Sequence, residues 1–187
     1  MNFSIFYRVQ KLLSNTSKKN VFASIKSCDI HENVHFSNDA ILNIVGSPKV
    51  LKIGKSVSFR SYFQILMYPN SELLIMENTF FNNFCSINCL GKIEIGENTL
   101  FGEGVKLYDH NHKYDTSGSI LKVERNDFTI DSIKIGKNCW IGSNVIILKN
   151  VEVGDNVIIG ANCLIYKSIP ANSIVKSSVN LDIKQFK

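Results

Sequence analysis

A period of six constrains this chain more than any other feature. From Ile133 the residues read IKIGKN CWIGSN VIILKN VEVGDN VIIGAN CLIYKS. The third positions are Ile135, Ile141, Ile147, Val153, Ile159 and Ile165, all aliphatic. The first position is small or aliphatic, and Gly follows the third in four of the six hexads. The phase recurs upstream with two slips, as Ile53, Phe59, Ile65, then Ile75, Phe81, Ile87, then Ile95, Phe101, Leu107. A weaker set is Ile30, Phe36, Leu42. Six matches neither the period of a helix, about 3.6, nor that of a strand, about 2. It fits a solenoid in which each hexad is a short strand and a corner. The third side chain points inward, and Gly or Asn turns the backbone where positive φ is tolerated. Three hexads close a triangular coil, and coils stack at roughly 4.8 Å. An antiparallel sandwich would turn every ~8–12 residues instead.

The bulk numbers agree with one soluble-type domain. The 187 residues are 44% hydrophobic and 20% charged, enough to bury a core. A net charge of +5 suits an anionic ligand, but no Lys/Arg cluster is long enough to argue for nucleic acid. No apolar run approaches the ~20 residues of a membrane-spanning helix, and the N-terminus has no signal-peptide pattern. The five cysteines (Cys28, Cys85, Cys89, Cys139, Cys163) include no CxxC pair and read as buried thiols of a reducing compartment. A cytoplasmic location is expected.

The run CWIGSNVIIL followed by VEVGDNVIIGA resembles the hexapeptide-repeat acyltransferases, and the resemblance extends from about Ile53 to Pro170. Within that family it resembles the branch of maltose, galactoside, nodulation-factor and capsule or lipopolysaccharide O-acetyltransferases. The resemblance implies an all-β, left-handed parallel β-helix and a homotrimer, with acetyl-coenzyme A as donor and active sites between the coils of two subunits. The domain expected is a β-helix over 21–187, preceded by an N-terminal segment, 1–20. In that segment Phe3, Phe6, Val9 and Leu13 fall near helical spacing among Arg8, Lys11, Lys18 and Lys19. An amphipathic helix capping the open end of the stack is expected there. A weak membrane-surface association, at the inner face of the membrane, is the second reading.

The repeat breaks at LYDHNHKYDT, Leu107 to Thr116. Leu107 ends a phase and Ile135 resumes it 28 residues later, ten more than one 18-residue coil. A loop thrown out over 108–132 is expected, irregular and functional, with Ile120, Leu121, Val123 and Phe128 as apolar anchors. Acyl transfer from a thioester needs a base for the acceptor proton but no serine or cysteine nucleophile. A neutral imidazole suits that task and contributes about 10²–10⁴ in rate. The resemblance implies direct attack in a ternary complex. In the sugar-acetylating branch the catalytic His lies five residues after the last inward residue of its coil, and here that position is His112. His110 is the second candidate, as base or acceptor contact. Asp109, Asp115 or a backbone carbonyl is expected to orient an imidazole. A metal site is disfavoured, since His31 and His35 lie several coils away and zinc wants three or four converging ligands.

The resemblance places the pantetheine arm of coenzyme A against Gly142 and Ser143 after Trp140, against Ala161, and against Tyr166 and Lys167. Ser143 or its N–H is a donor candidate for the developing oxyanion, and Lys167 a phosphate partner. Trp140 is expected to pack under the loop or stack on a ligand. The C-terminal run KSSVNLDI departs from the family's closing turn, and NNFCSINCL lacks the carboxylate that the maltose and galactoside enzymes carry. Asn82, Asn83 and Asn88 remain as acceptor-binding candidates, each also explicable as a left-handed corner Asn. The expected activity is acetyl transfer to a hydroxyl of a sugar or glycan in bacterial surface-polysaccharide synthesis. N-acetylation of an amino sugar or its nucleotide, and a silent scaffold, are the alternatives.

Overall fold

A computed structural model describes Tyr7–Arg8 and residues 27–178. The chain winds as a parallel β-solenoid of about six coils with three flat faces. Each coil begins on face one, with strands Cys28–Ile30, Val50–Ile53, Glu72–Ile75, Lys92–Ile95, Ser132–Ile135 and Val151–Val153. It passes to face two, whose strands are His35–Phe36, Ser58–Phe59, Phe80–Phe81, Leu100–Phe101, Trp140–Ile141, Ile158–Ile159 and Ile174–Val175. It closes on face three, with Ile41–Ile44, Gln64–Met67, Ser86–Cys89, Lys106–Tyr108, Ile146–Leu148 and Leu164–Ile165. The helix expected over 1–20 lies outside the described residues, except that Tyr7–Arg8 pairs antiparallel with face three at Ile44 and Asn43.

Every third-position residue from Ile53 onward, through Leu107 and again from Ile135 to Ile165, is buried. Phe36, Phe59, Phe81 and Phe101 stand one above another with centroids 4.6, 5.1 and 4.4 Å apart, forming a stacked column inside face two. Such offset stacks add about 0.5–1.5 kcal/mol per pair beyond burial. The buried hydroxyls are partnered: Thr79 Oγ1 donates to Met76 O (2.9 Å), Thr99 Oγ1 to Gly136 O (3.0 Å) and Ser71 Oγ to Tyr68 O (2.7 Å). Cys85, Cys89, Cys139 and Cys163 are buried free thiols, and Cys28 is half-buried. Burial pushes the Cys85 thiol up to about 11, and burial together with the Asp109 charge raises Cys89. Cys85 and Cys89 are thus packing groups held neutral.

The corner between faces one and two is the regular one. Asn78, Asn98, Asn138, Asn156 and Asn172 all take φ between 56° and 60°. Their side-chain amides bond in sequence at 3.2, 3.2, 3.2 and 3.0 Å. The slips in the hexad phase gather at the corner between faces three and one. There the chain spends 45–49 in the first coil, 68–71 in the second, Leu90–Gly91 in the third and 109–131 in the fourth.

The break at Leu107 therefore differs from the expectation. Lys106 pairs directly with Ile146 and Leu107 with Ile147, so no coil is missing and the whole excursion belongs to a single corner. It is a two-stranded antiparallel ribbon, not an irregular loop: His110–Asp115 pairs with Lys122–Ile130. Ile120, Leu121 and Val123 anchor nothing, being 75%, 61% and 57% exposed. Only Phe128 packs back.

The three faces differ chemically. Face one carries ion pairs outward, Lys49–Glu72, Lys92–Glu94 and Lys134–Glu152. A shallow groove there is lined by Lys92, Glu94, Lys134 and Glu152, with no residue of the ribbon strands. Face two carries Leu100, Trp140, Ile158 and Ile174 outward in direct register. Face three carries Ser86, Asn88, Lys106 and Tyr108 between its two corners. Among the described residues no helix is long and apolar enough to cross a membrane.

Candidate active site

The ribbon's root is pinned by one carboxylate. Asp109 is fully buried. Its Oδ1 accepts from Leu90 N–H at 2.9 Å and its Oδ2 from Gly91 N–H at 2.7 Å, tying the ribbon to the short corner of the coil before. Asp131 N–H closes the root by donating to Asp109 O at 2.9 Å. Gly91 is required by close approach, because a Cβ there would stand 2.5 Å from Ile130 Cγ2 and 2.8 Å from Asp131 O.

Both imidazoles have their Nδ1 occupied. His110 Nδ1 lies 3.2 Å from Asp109 Oδ1. His112 Nδ1 lies 2.9 Å from the backbone carbonyl of Glu124 on the opposite strand. A carbonyl or carboxylate oxygen only accepts, so in the neutral ring each Nδ1 carries the hydrogen and each Nε2 the lone pair. The ribbon thus presents two Nε2 acceptors, the state a general base requires. Phe128, in register opposite His112, sits between them with ring centroids 5.3 Å from His110 and 4.7 Å from His112. Tyr68 meets Phe128 edge-on at 6.2 Å, and Tyr108 meets His110 at 6.4 Å. His110 is nearly buried, its side chain 15% exposed, whereas His112 stands on the open ribbon.

The other sequence candidates divide between two corners. Gly142, Ser143 and Ala161 line the corner between faces two and three. They stack so closely that a Cβ on Gly142 would lie 2.6 Å from Ala161 N. Tyr166 and Lys167 lie on the ribbon's own corner two coils later, with Lys167 Nζ 5.6 Å from the Tyr166 ring centroid. Asn88 points outward on face three, between the two corners.

Four expectations are corrected. Trp140 does not pack under the ribbon; it is 57% exposed on face two, between Leu100 and Ile158. Asp115 does not orient an imidazole, since its Oδ1 accepts from Ser117 N–H at 2.8 Å, a contact that lowers its pKa and caps the ribbon's turn. Asn82 and Asn83 are not left-handed corner residues, because the positive φ of that corner belongs to Phe84. Asn82 Oδ1 accepts from Asn83 N–H at 2.9 Å, and Asn83 Oδ1 from Ser61 N–H at 3.2 Å. Asn88 is a strand residue. Sequence reasoning named a backbone carbonyl without identifying it as that of Glu124, and it passed over the Leu90–Gly91 docking of Asp109, which only a column-by-column alignment of corners would have suggested. Among the described residues no group of three or more His, Cys, Asp or Glu converges as a metal site would.

Comparisons with known proteins bear on the repeat and on the fold. Residues 132–167 match the sequence model of the bacterial transferase hexapeptide, six repeats. A variant of AntD, an N-acyltransferase from Bacillus cereus, in complex with dTDP-4-amino-4,6-dideoxyglucose and coenzyme A, superposes with a TM-score of 0.65. The identity is 18% over 96% of this chain and 89% of that one. A hexapeptide-repeat-containing acetyltransferase from Vibrio cholerae, complexed with acetyl-coenzyme A, gives a TM-score of 0.54 at 17% identity over 88% of this chain and 74% of that one. The fold is theirs.

Proposed function

We propose that this chain is an acetyltransferase that moves the acetyl group of acetyl-coenzyme A to a sugar acceptor, with His112 as general base. The observation that carries the reading is the hydrogen bond from His112 Nδ1 to the Glu124 carbonyl. It leaves Nε2 as the proton acceptor at the edge of an otherwise repetitive stack. As the acceptor attacks the thioester carbonyl, Nε2 takes its proton. The tetrahedral intermediate then collapses, the carbon–sulfur bond breaks, and the imidazolium returns the proton to the departing thiolate. His110, held by Asp109, sits behind it as an acceptor contact. Ser143, Gly142, Ala161, Trp140, Tyr166 and Lys167 remain the candidates for the donor.

The exposure of His112 on a single chain favours a second subunit as the other wall of the site. The outward row Leu100, Trp140, Ile158 and Ile174 supports a homotrimer packed through face two, with the coil left-handed as in the family it resembles. Use of acetyl-coenzyme A favours the cytoplasmic side. A hydroxyl acceptor in surface-polysaccharide synthesis is the first reading. An amino group on a nucleotide-linked sugar is the second, favoured by the likeness to AntD bound to such a molecule.

The test is release of free thiol from acetyl-coenzyme A against a panel of sugars and nucleotide sugars. His112→Ala is expected to lower the rate by about 10²–10⁴ with an unchanged circular dichroism spectrum. Full activity in that variant removes His112 as the base. A wild-type chain silent on the whole panel leaves only a scaffold.

A further inference from the structure

The corner between faces two and three breaks its own rule in two successive coils. In the later coils its left-handed residue is Gly104, Asn144 or Asn162, types that tolerate positive φ. In the second and third coils it is Tyr62 and Phe84, each at φ 60°. A bulky side chain there stores strain, and such strain persists where something else is gained from it. Burial is not the gain, since Tyr62 is 53% and Phe84 52% exposed. The rings lie parallel, 4.9 Å apart and 4° from coplanar directions.

The next position along this stack is Gly104. Having no side chain, it sets no ring over the outer face of Phe84, which stands half exposed at a shallow step in the stack. The Asn144 amide, one coil further, fills the inner end of that step, where a Cβ on residue 104 would collide with its Oδ1. At the same place Lys106 Nζ donates to Gly104 O at 3.3 Å. No carboxylate among the described residues forms an ion pair with Lys106. This step, the notch, therefore has an aromatic floor, an amide at its inner end and the Lys106 ammonium at its mouth.

We propose that this notch binds the base and diphosphate of a nucleotide-linked sugar. The heterocycle stacks on Phe84, backed by Tyr62, and the Lys106 ammonium meets the phosphates. Planar rings are recognised by stacking, and a lone ammonium beside the stack selects rings that carry anions. Face three joins this notch to the ribbon. From Phe84 the strand Ser86–Cys89 runs to Leu90, whose N–H is held by Asp109 beside His110. That path is about 20 Å at ~3.4 Å per residue. Asn88 and Tyr108 stand outward along it, so a nucleotide anchored at Gly104 lays its sugar across Asn88 towards the imidazoles. The acetylation of that sugar rests on the acyl-transfer reading above; the binding of the nucleotide does not.

The experiment is calorimetric titration of the full chain with dTDP, UDP and thymidine, without acetyl-coenzyme A. dTDP or UDP is expected to bind more tightly than thymidine. Phe84→Gly is expected to weaken binding at least about tenfold, the scale of one lost aromatic–base stack. The same variant should keep or raise the unfolding midpoint, because glycine relieves the strained φ. Lys106→Met is expected to abolish the preference for diphosphate over nucleoside. Absence of affinity for either diphosphate overturns the proposal, as does unchanged affinity in Phe84→Gly. A Phe84→Gly chain that changes oligomeric state and keeps its affinity assigns the aromatic pair to a subunit contact instead. If dTDP binds at Phe84 and no acetyl transfer occurs, the acyl-transfer reading fails while this one stands. If transfer to simple sugars proceeds without nucleotide affinity, this one fails alone.

Discussion

At the corner between faces one and two, five asparagines share one left-handed conformation and pass an amide hydrogen bond from coil to coil. At the corner between faces three and one, successive coils turn in lengths that vary from the two residues Leu90–Gly91 to the ribbon of 109–131. Both corners join strands in the same register. A solenoid needs its strands aligned and leaves the length of any one corner free, because Lys106 reaches Ile146 whatever the chain does between them. Stability therefore accumulates where the coils repeat, and chemistry collects where they do not.

The sharpest way to break this contrast is to remove the ribbon. Replacing residues 111–129 with a short glycine–asparagine turn should abolish acetyl transfer, a loss of at least about 10². The folded stack should lose less than about 1 kcal/mol in denaturant titration, since shortening a loop lowers its closure entropy. Collapse of the solenoid on excision would mean that the ribbon is structural. Asp109→Ala comes next. It strips a charge-assisted acceptor from the buried N–H groups of Leu90 and Gly91, and is expected to cost about 2–3 kcal/mol. It also frees His110, so the loss should appear in urea titration and in hydrogen exchange at Leu90. A smaller effect is expected at the regular corner. Asn138→Ala breaks two rungs of the amide ladder, to Asn98 and Asn156, and puts alanine at φ 57°. About 1–2 kcal/mol is expected, with acetyl transfer per folded molecule unchanged.

The last effect is nil at neutral pH and appears only in alkali. The unfolded chain ionises the Cys85 thiol near its ordinary value of 9.0, whereas in the fold burial holds it neutral to about 11. Protons are then bound more by the native state, so stability is complete below about pH 9 and falls as pH rises towards 11. The slope expected from one such thiol is about 1.4 kcal/mol per pH unit. Cys28, Cys89 and Cys139 are raised by burial too, so urea midpoints across that window should fall less steeply in Cys85→Ala without levelling; an unchanged slope would acquit the thiol.

Much of the stack was legible in the residues. Each third position from Ile53 to Ile165 is inside, because a six-residue period leaves a β-branched or aromatic side chain no other place to go. His112 was legible as a candidate through its place after Leu107. The ribbon was not, because a period reports where repetition stops and resumes, not what is inserted; counting from Leu107 as though a coil intervened mistook a corner for a turn of the helix. Trp140 was misplaced for a related reason. Its slot beside Ile141 is an outward strand position, and outward positions on a solenoid face carry no periodic signal. Phe84 escaped notice because the left-handed residue at a corner is expected to be Gly or Asn, and an aromatic there reads as core.

The central claim is that the imidazole held by the Glu124 carbonyl serves the thioester. A structure of the full chain soaked with coenzyme A tests it most directly. The account predicts the coenzyme's sulfur beside the ribbon, close enough to His112 Nε2 for one bound acceptor group to touch both. A sulfur resting against face one, or anywhere that leaves both His110 and His112 facing solvent, would contradict it.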